Sequence, residues 1–175
     1  MKKRKQRGLA FEIDKLTRSI ENVVTGDSFV TVVLSLTKDD LKNVKRKNGW
    51  LFNWKQEFNS PERNTFKLTI VENPMVIQGL VSLEVRPDFV YMHLVENAPF
   101  NLGRNKVYAG VLGNLVAFGC KLSFENGSEG ALAFDSKTAL MQHYHHTLGA
   151  LHVGGIRMVI DTPAALKLVN KYFPA

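Results

Sequence analysis

Three strand signals in a row, joined by turns too short for anything but a reversal, constrain this chain more than any other feature. "TFKLTIVE" (65–72) alternates Phe66, Leu68 and Ile70. "MVIQGLVSLEV" (75–85) follows the Asn73–Pro74 turn, and "FVYMHLVE" (89–96) follows Arg86–Pro87–Asp88. Apolar runs of this kind bounded by Pro, Asn and Asp read as strand, turn, strand. Connections this short join antiparallel neighbours, because a parallel pair needs a crossover of a dozen residues or more. The centre of the chain is therefore an antiparallel meander.

On its N-terminal side, Ile13, Leu16, Ile20 and Val23 fall at helical spacing and predict an amphipathic helix over 9–24, broken by Gly26–Asp27. "SFVTVVLSL" (28–36) is β-branched and short, as a buried strand is. Thr37, with Asp39 and Asp40 behind it, predicts a capped helix carrying Leu41 and Val44. Asn48–Gly49 interrupts it, and a second helical piece carries Trp50, Leu51, Trp54 and Phe58 up to Ser60–Pro61.

Beyond the meander the texture changes. "APFNLGRN" (98–105) is a loop, "KVYAGVLGNLVAFGCKLSFENG" (106–127) a helix with Gly127 past its end, and "GALAFDS" (130–136) a strand. "KTALMQHYHHTLGA" (137–150) is a helix stopped at Gly149; "LHV" and "IRMVID" flank a Gly154–Gly155 hairpin turn, and Thr162–Pro163 starts a last helix. A helical crossover between strands predicts a parallel pair in this half.

The 175 residues, 45% of them hydrophobic, suit one domain with a packed core. We expect a basic tail and helix over 1–27 and a single domain over 28–175. No apolar run approaches the roughly 20 residues of a membrane span, and "MKKRKQRGLAFEID" lacks the apolar stretch of a secretory signal. The single cysteine, Cys120, excludes an internal disulfide and a Cys-pair zinc site; a cytoplasmic protein is the expectation. The net charge of +7 favours an anionic ligand, either nucleic acid or a nucleotide-bearing cofactor. Five of the positive charges lie in residues 2–7, as a solvated tail or a nucleic-acid contact, and "KNVKRK" (42–47) reads as the wet face of a helix.

His143 and His146 stand three apart, a spacing at which two helix residues share a face. A zinc site needs a third ligand from His152, His93 or a carboxylate, and no H-E-x-x-H pattern exists, so no metal is expected. Cys120, between Phe118 and Leu122, reads as a small core residue.

The order of elements over 28 to about 161 resembles the GNAT (GCN5-related N-acetyltransferase) superfamily. That resemblance implies an α/β fold of the α+β kind: a mixed, mostly antiparallel sheet of six to seven strands flanked by helices. It implies acetyl-CoA as co-substrate and no metal. In "KVYAGVLGNLVAF" the family's diphosphate loop maps onto Lys106, Tyr108, Gly110, Val111, Leu112, Gly113 and Asn114, with Lys106 or Arg104 supplying positive charge. A helix N-terminus offers free amides and half a positive charge to such a group. Gly110 and Gly113 stand three apart where the family pattern has two, and close helix packing is an alternative reason for both glycines.

In "SKTALMQHYHHTLGA" the resemblance makes Tyr144 the general acid that protonates the leaving thiolate, and Ser136 takes the place of the family's asparagine beside the cofactor. The strand "FVYMHLVE" is the one that splays in the family. Leu94 and Val95 would then face the pantetheine arm, and Glu96, or Glu84 on the neighbouring strand, would be the base. Trp50 and Trp54 form either an acceptor-side wall or core. The implied activity is N-acyl transfer from acetyl-CoA to a small-molecule or peptide amine by direct attack in a ternary complex, by a monomer or homodimer. The alternative is a catalytically inactive module on the same fold, binding nucleic acid through its basic N-terminus.

Overall fold

The protein is described by a computed structural model over residues 8–174. The basic cluster at 2–7 lies outside the described residues. In chain order the elements are β1 (Ile20–Asn22), β2 (Ser28–Phe29), β3 (Thr31–Ser35), α1 (Trp54–Asn59), β4 (Asn64–Ile70), β5 (Gly79–Val85), β6 (Val90–Asn97), β7 (Tyr108–Ala109), α2 (Val111–Glu125), β8 (Leu132–Asp135), α3 (Met141–Leu148), β9 (Leu151–Gly154), β10 (Arg157–Ile160) and α4 (Thr162–Tyr172).

Seven strands form one sheet in the order β3-β4-β5-β6-β8-β10-β9. The meander β4–β5–β6 is antiparallel, as its short turns require. β6 and β8 are parallel, joined through α2 as the crossover predicts. α2 lies across β5 and β6 and packs on α4. Between them sits the main core, where Leu83, Met92, Leu115, Val116, Leu132, Phe134 and Ile160 are fully buried. Each contributes roughly 1.5–3 kcal/mol of transfer free energy. A second, smaller core of Leu36, Val44, Trp50, Trp54, Leu80 and Ala98 closes the outer end of the meander.

The helix expected over 9–24 does not form. Residues 10–19 belong to no helix or strand, and β1 follows. Leu9, Phe11 and Ile13 turn inward while Ala10 and Glu12 face out. That period of two wins over the three-to-four spacing of Ile13, Leu16 and Ile20, because the segment's hydrogen-bond partners lie at the end of β8 and on α3.

Thr37 and Asp40 do cap one another (2.8 and 3.2 Å). Only single 3-10 turns follow, at Asp40–Lys42 and Arg46–Asn48, and Gly49 stops the second at φ 96°. Lys45, Arg46 and Lys47 are exposed on a turn rather than on a helix. α1 begins only at Trp54, capped by the Asn53 side chain. α2 begins at Val111 rather than Lys106, since Tyr108–Ala109 pair with β1. The last hairpin turns at Gly155–Ile156, one residue later than expected, with Gly154 opposite Arg157.

Candidate active site

β6 and β8 are paired over only two positions, Val90↔Leu132 and Tyr91↔Ala133. Beyond them, among the described residues, β6 continues to Asn97 on β5 alone. The cause is local: between Ser82↔Leu94 and Leu83↔Met92 the ladder skips His93, a bulge that bends and twists β6 away from β8. The two strands therefore part, and a cleft of 460 Å3 lies between β6 and residues 8–14, which enter the gap. Leu94, Val95, Glu96 and Asn97 form one wall, Leu51 and Phe52 the outer rim, and Leu112 of α2 the inner end.

The opposite wall is the segment expected to be a helix. Leu9 forms a parallel bridge with Ser136, its N–H donating to Asp135 C=O (2.7 Å) and its C=O accepting from Lys137 N–H (3.0 Å). Gly8 lies so close to β8's end that a Cβ there would stand 2.7 Å from Lys137 N. Phe11 is buried, stacked on Tyr144 (centroids 4.4 Å) and tilted against Phe134. Ile13 N–H donates to His143 Nε2 (2.9 Å).

Tyr144 is fully buried, and its hydroxyl accepts from Phe11 N–H (2.9 Å) and donates to Phe11 C=O (2.7 Å). Burial raises its pKa well above the ordinary tyrosine value, the Phe11 hydrogen bond opposing and the nearby Glu12 charge adding to the rise. The phenol is thus a donor, not a base, near neutrality.

Glu96 is buried in the cleft wall, accepting from Leu51 N–H and from the Trp54 indole N–H, both at 2.8 Å. Glu84 is apart from the cleft-lining residues, bonded to Arg86 and His93. The Arg86 guanidinium beside it holds its carboxyl below the usual range against the opposing effect of burial.

The N-terminus of α2 is occupied. Gly110, at φ +89°, presents its N–H to Asp14 Oδ1 (3.2 Å), and Lys106 Nζ reaches Asp14 Oδ2 (3.0 Å). Thr17 Oγ1 sits where a Cβ at Gly110 would lie, and Tyr172 Oη and Leu16 cover Gly113 in the same way. Val111 is core and Leu112 lines the cleft. Asn114 is buried and turned to Thr31, its Nδ2 donating to Thr31 Oγ1 (2.9 Å). Tyr108 packs edge-on against Phe29 and donates its N–H to Asn101. Ser136 is buried, with its hydroxyl on Lys137 C=O. Arg104 is absent from the residues around the cleft.

The structure thus brings Leu94, Val95, Glu96, Lys106 and Leu112 together around one cleft, with Tyr144 and Gly110 behind the segment that walls it. Val111, Asn114, Tyr108 and Ser136 point into packing or local hydrogen bonds. Sequence reasoning missed Phe11 and Asp14, which hold the two candidate recognition groups; the Leu9–Phe11–Ile13 alternation was their signal.

Trp50 and Trp54 are core, the second also bonded to Glu96. Cys120 is fully buried, and burial pushes its thiol up to about 12. His145, His146 and His152 are exposed. Among the described residues no group of three His, Cys, Asp or Glu side chains converges as metal ligands do.

No family model and no curated protein sequence matches the chain. Solved structures do. Spermidine N-acetyltransferase from Vibrio cholerae in complex with CoA and spermine covers 78% of this chain and 98% of its own, with a TM-score of 0.52 at 15% identity. A chimera of that enzyme and hSSAT covers 79% and 99%, with a TM-score of 0.54 at 15% identity. The dodecameric form of the Vibrio cholerae enzyme covers 78% and 96%, with a TM-score of 0.53 at 16% identity. The chain has the GNAT fold. At these identities the likeness is one of fold.

Proposed function

We propose that the protein is a cytoplasmic acyl-CoA-dependent N-acyltransferase, moving an acetyl group from acetyl-CoA to a small-molecule or peptide amine. One observation carries the reading: a bulge opens the sheet beside a helix N-terminus that already holds an anion, the Asp14 carboxylate on Gly110 N–H with Lys106 beside it. The donor set at that mouth suits a diphosphate, which would take the same amide and the same ammonium. The edge of β6 at Leu94–Asn97, unpaired among the described residues, offers main-chain groups to an extended amide-bearing arm.

A bound acetyl thioester would supply the activated carbonyl. Around it, the chain's residues orient and move protons. Leu94 and Val95 align the arm along β6. Tyr144 Oη carries a proton that burial keeps on the phenol, so its task is donation. Glu96, fixed by Leu51 N–H and the Trp54 indole, stands at the cleft wall to take the proton of the attacking amine.

The ground next to the cleft rim bears on the acceptor. Lys38, Lys42, Lys45, Arg46 and Lys55 surround an apolar groove of 570 Å3 that shares Phe52 with the cleft. That charge opposes a polycation and favours an amine carried on a neutral or acidic molecule.

A second reading, a non-catalytic module on this fold, is favoured by the segment that covers both Tyr144 and the mouth of α2. The test is thiol release from acetyl-CoA across a panel of amines, with CoA affinity measured by calorimetry. Tyr144→Phe should lower turnover about 100-fold without weakening CoA binding. Unchanged turnover removes Tyr144 from the reaction. No CoA binding, even when the covering segment is weakened, selects the non-catalytic module.

A further inference from the structure

We infer that residues 8–19 are an intramolecular strap that stands in for the acyl-CoA ligand and has to leave the split before a diphosphate reaches the N-terminus of α2. The inference rests on the acyltransferase reading and concerns how that same site is controlled.

The strap meets the split at three levels, each of which an extended anionic ligand would use. At β8 it adds a strand-like bridge, Leu9↔Ser136, to an edge that β6 has left. In the middle, the Phe11 peptide takes both hydrogen-bonding functions of the Tyr144 hydroxyl. At the inner end, Asp14 presents two carboxylate oxygens to Gly110 N–H and Lys106 Nζ, as an oxyanion of a diphosphate would. Thr17, Leu16 and Tyr172 then fill the space above Gly110 and Gly113. Occupation is mutually exclusive: the amide and the ammonium that Asp14 uses are the ones a diphosphate needs, and Thr17 Oγ1 takes the volume beside them.

The attachment is also built to come undone from one end. Residues 20–22 are fixed, since β1 pairs with both β2 and β7. N-terminal to Thr17, among the described residues, the strap is held by one β-bridge, by bonds from Tyr144, His143, Gly110 and Lys106, by the Lys15–Glu21 ion pair and by burial of Phe11 and Ile13 against the main core, with Ala10, Glu12 and Lys15 facing out. Release therefore peels residues 8–17 from β8 towards α2 and leaves the segment tethered at β1. While it is seated, ligand affinity is reduced by the fraction of molecules that are open.

The test uses the full chain and CoA itself. Asp14→Ala removes the carboxylate from α2, and Gly8→Ala places a Cβ against the Lys137 and Ser136 backbone, so each loosens the strap at one end. Calorimetry should show CoA bound about tenfold more tightly by either variant than by the wild type. Hydrogen exchange of the wild type should show the Leu9, Phe11 and Ile13 amides losing protection when CoA is added. Equal affinity in all three proteins, with no change in exchange, overturns the strap and leaves the acyltransferase reading standing. Weaker binding by the variants makes the segment a wall of the ligand site and also overturns it. No binding by any of the three ends the acyltransferase reading, and the strap with it.

Discussion

The two walls of the split are built by different physics. One is β6, paired with β5 over seven positions and braced by Glu96 to the buried Trp54. The other is the strap, paired with β8 through one bridge among the described residues and otherwise held by side-chain bonds and by two buried side chains, Phe11 and Ile13. A continuous ladder backed by a core opens only with global unfolding, whereas a segment with one bridge and an exposed face opens locally. The same cleft therefore has one wall that specifies the fold and one that is free to act as a gate.

Trp54→Ala should be the most damaging change. It empties a fully buried site and strands Glu96, and a loss of about 3–5 kcal/mol in urea unfolding is expected. Phe11→Ala removes a ring that is nearly as buried, yet should cost less than the roughly 3–5 kcal/mol of a fixed core aromatic, because the strap detaches locally instead of carrying a cavity in the closed state. Equal costs for the two variants would erase the difference between the walls.

The third test is alkaline. Burial raises the Tyr144 pKa in the folded protein above the ordinary value of 10.0. Between those two values the unfolded chain has lost a proton that the folded one keeps. Stability from this group is therefore complete below pH 10 and falls as pH rises through the folded pKa. Unfolding measured from pH 9 to 11 should show that decline in the wild type and a flatter course in Tyr144→Phe. The same slope in both would mean that the strap does not shield the phenol.

The smallest effect belongs to Asp14→Asn. The Lys106 and Asp14 side chains are 28% and 22% exposed, so the pair should be worth under about 1 kcal/mol to stability. Its effect should lie in CoA affinity instead. A large stability loss would move Asp14 from the gate to the frame.

The meander was legible because alternation and Pro/Asn turns are local signals, and the β6–β8 parallel pair followed from the helix between them. The position of the cleft was legible too, through the resemblance of the strand ending at Glu96 and the helix after Gly110. Three elements misled. Residues 9–24 carry both periods, and local sequence does not say whether Leu9, Phe11 and Ile13 or Ile13, Leu16 and Ile20 will find partners. Thr37 and Asp40 make a sound cap, but the Asp40 carboxylate is shared with Lys67 on β4 and the chain turns after one turn of helix. Lys106–Ala109 read as helix because nothing local shows that β1 will pair with Tyr108 and Ala109.

The amino-acid order alone determined the reversals, the crossover and the small residues at the start of α2, since each depends on backbone preferences a few residues long. Which segment lies in the split was decided by the folded molecule. The contacts that choose it join Phe11 to Tyr144 and Asp14 to Gly110, 133 and 96 residues apart, and hydrogen bonds at that range exist only once the sheet has parted to receive them.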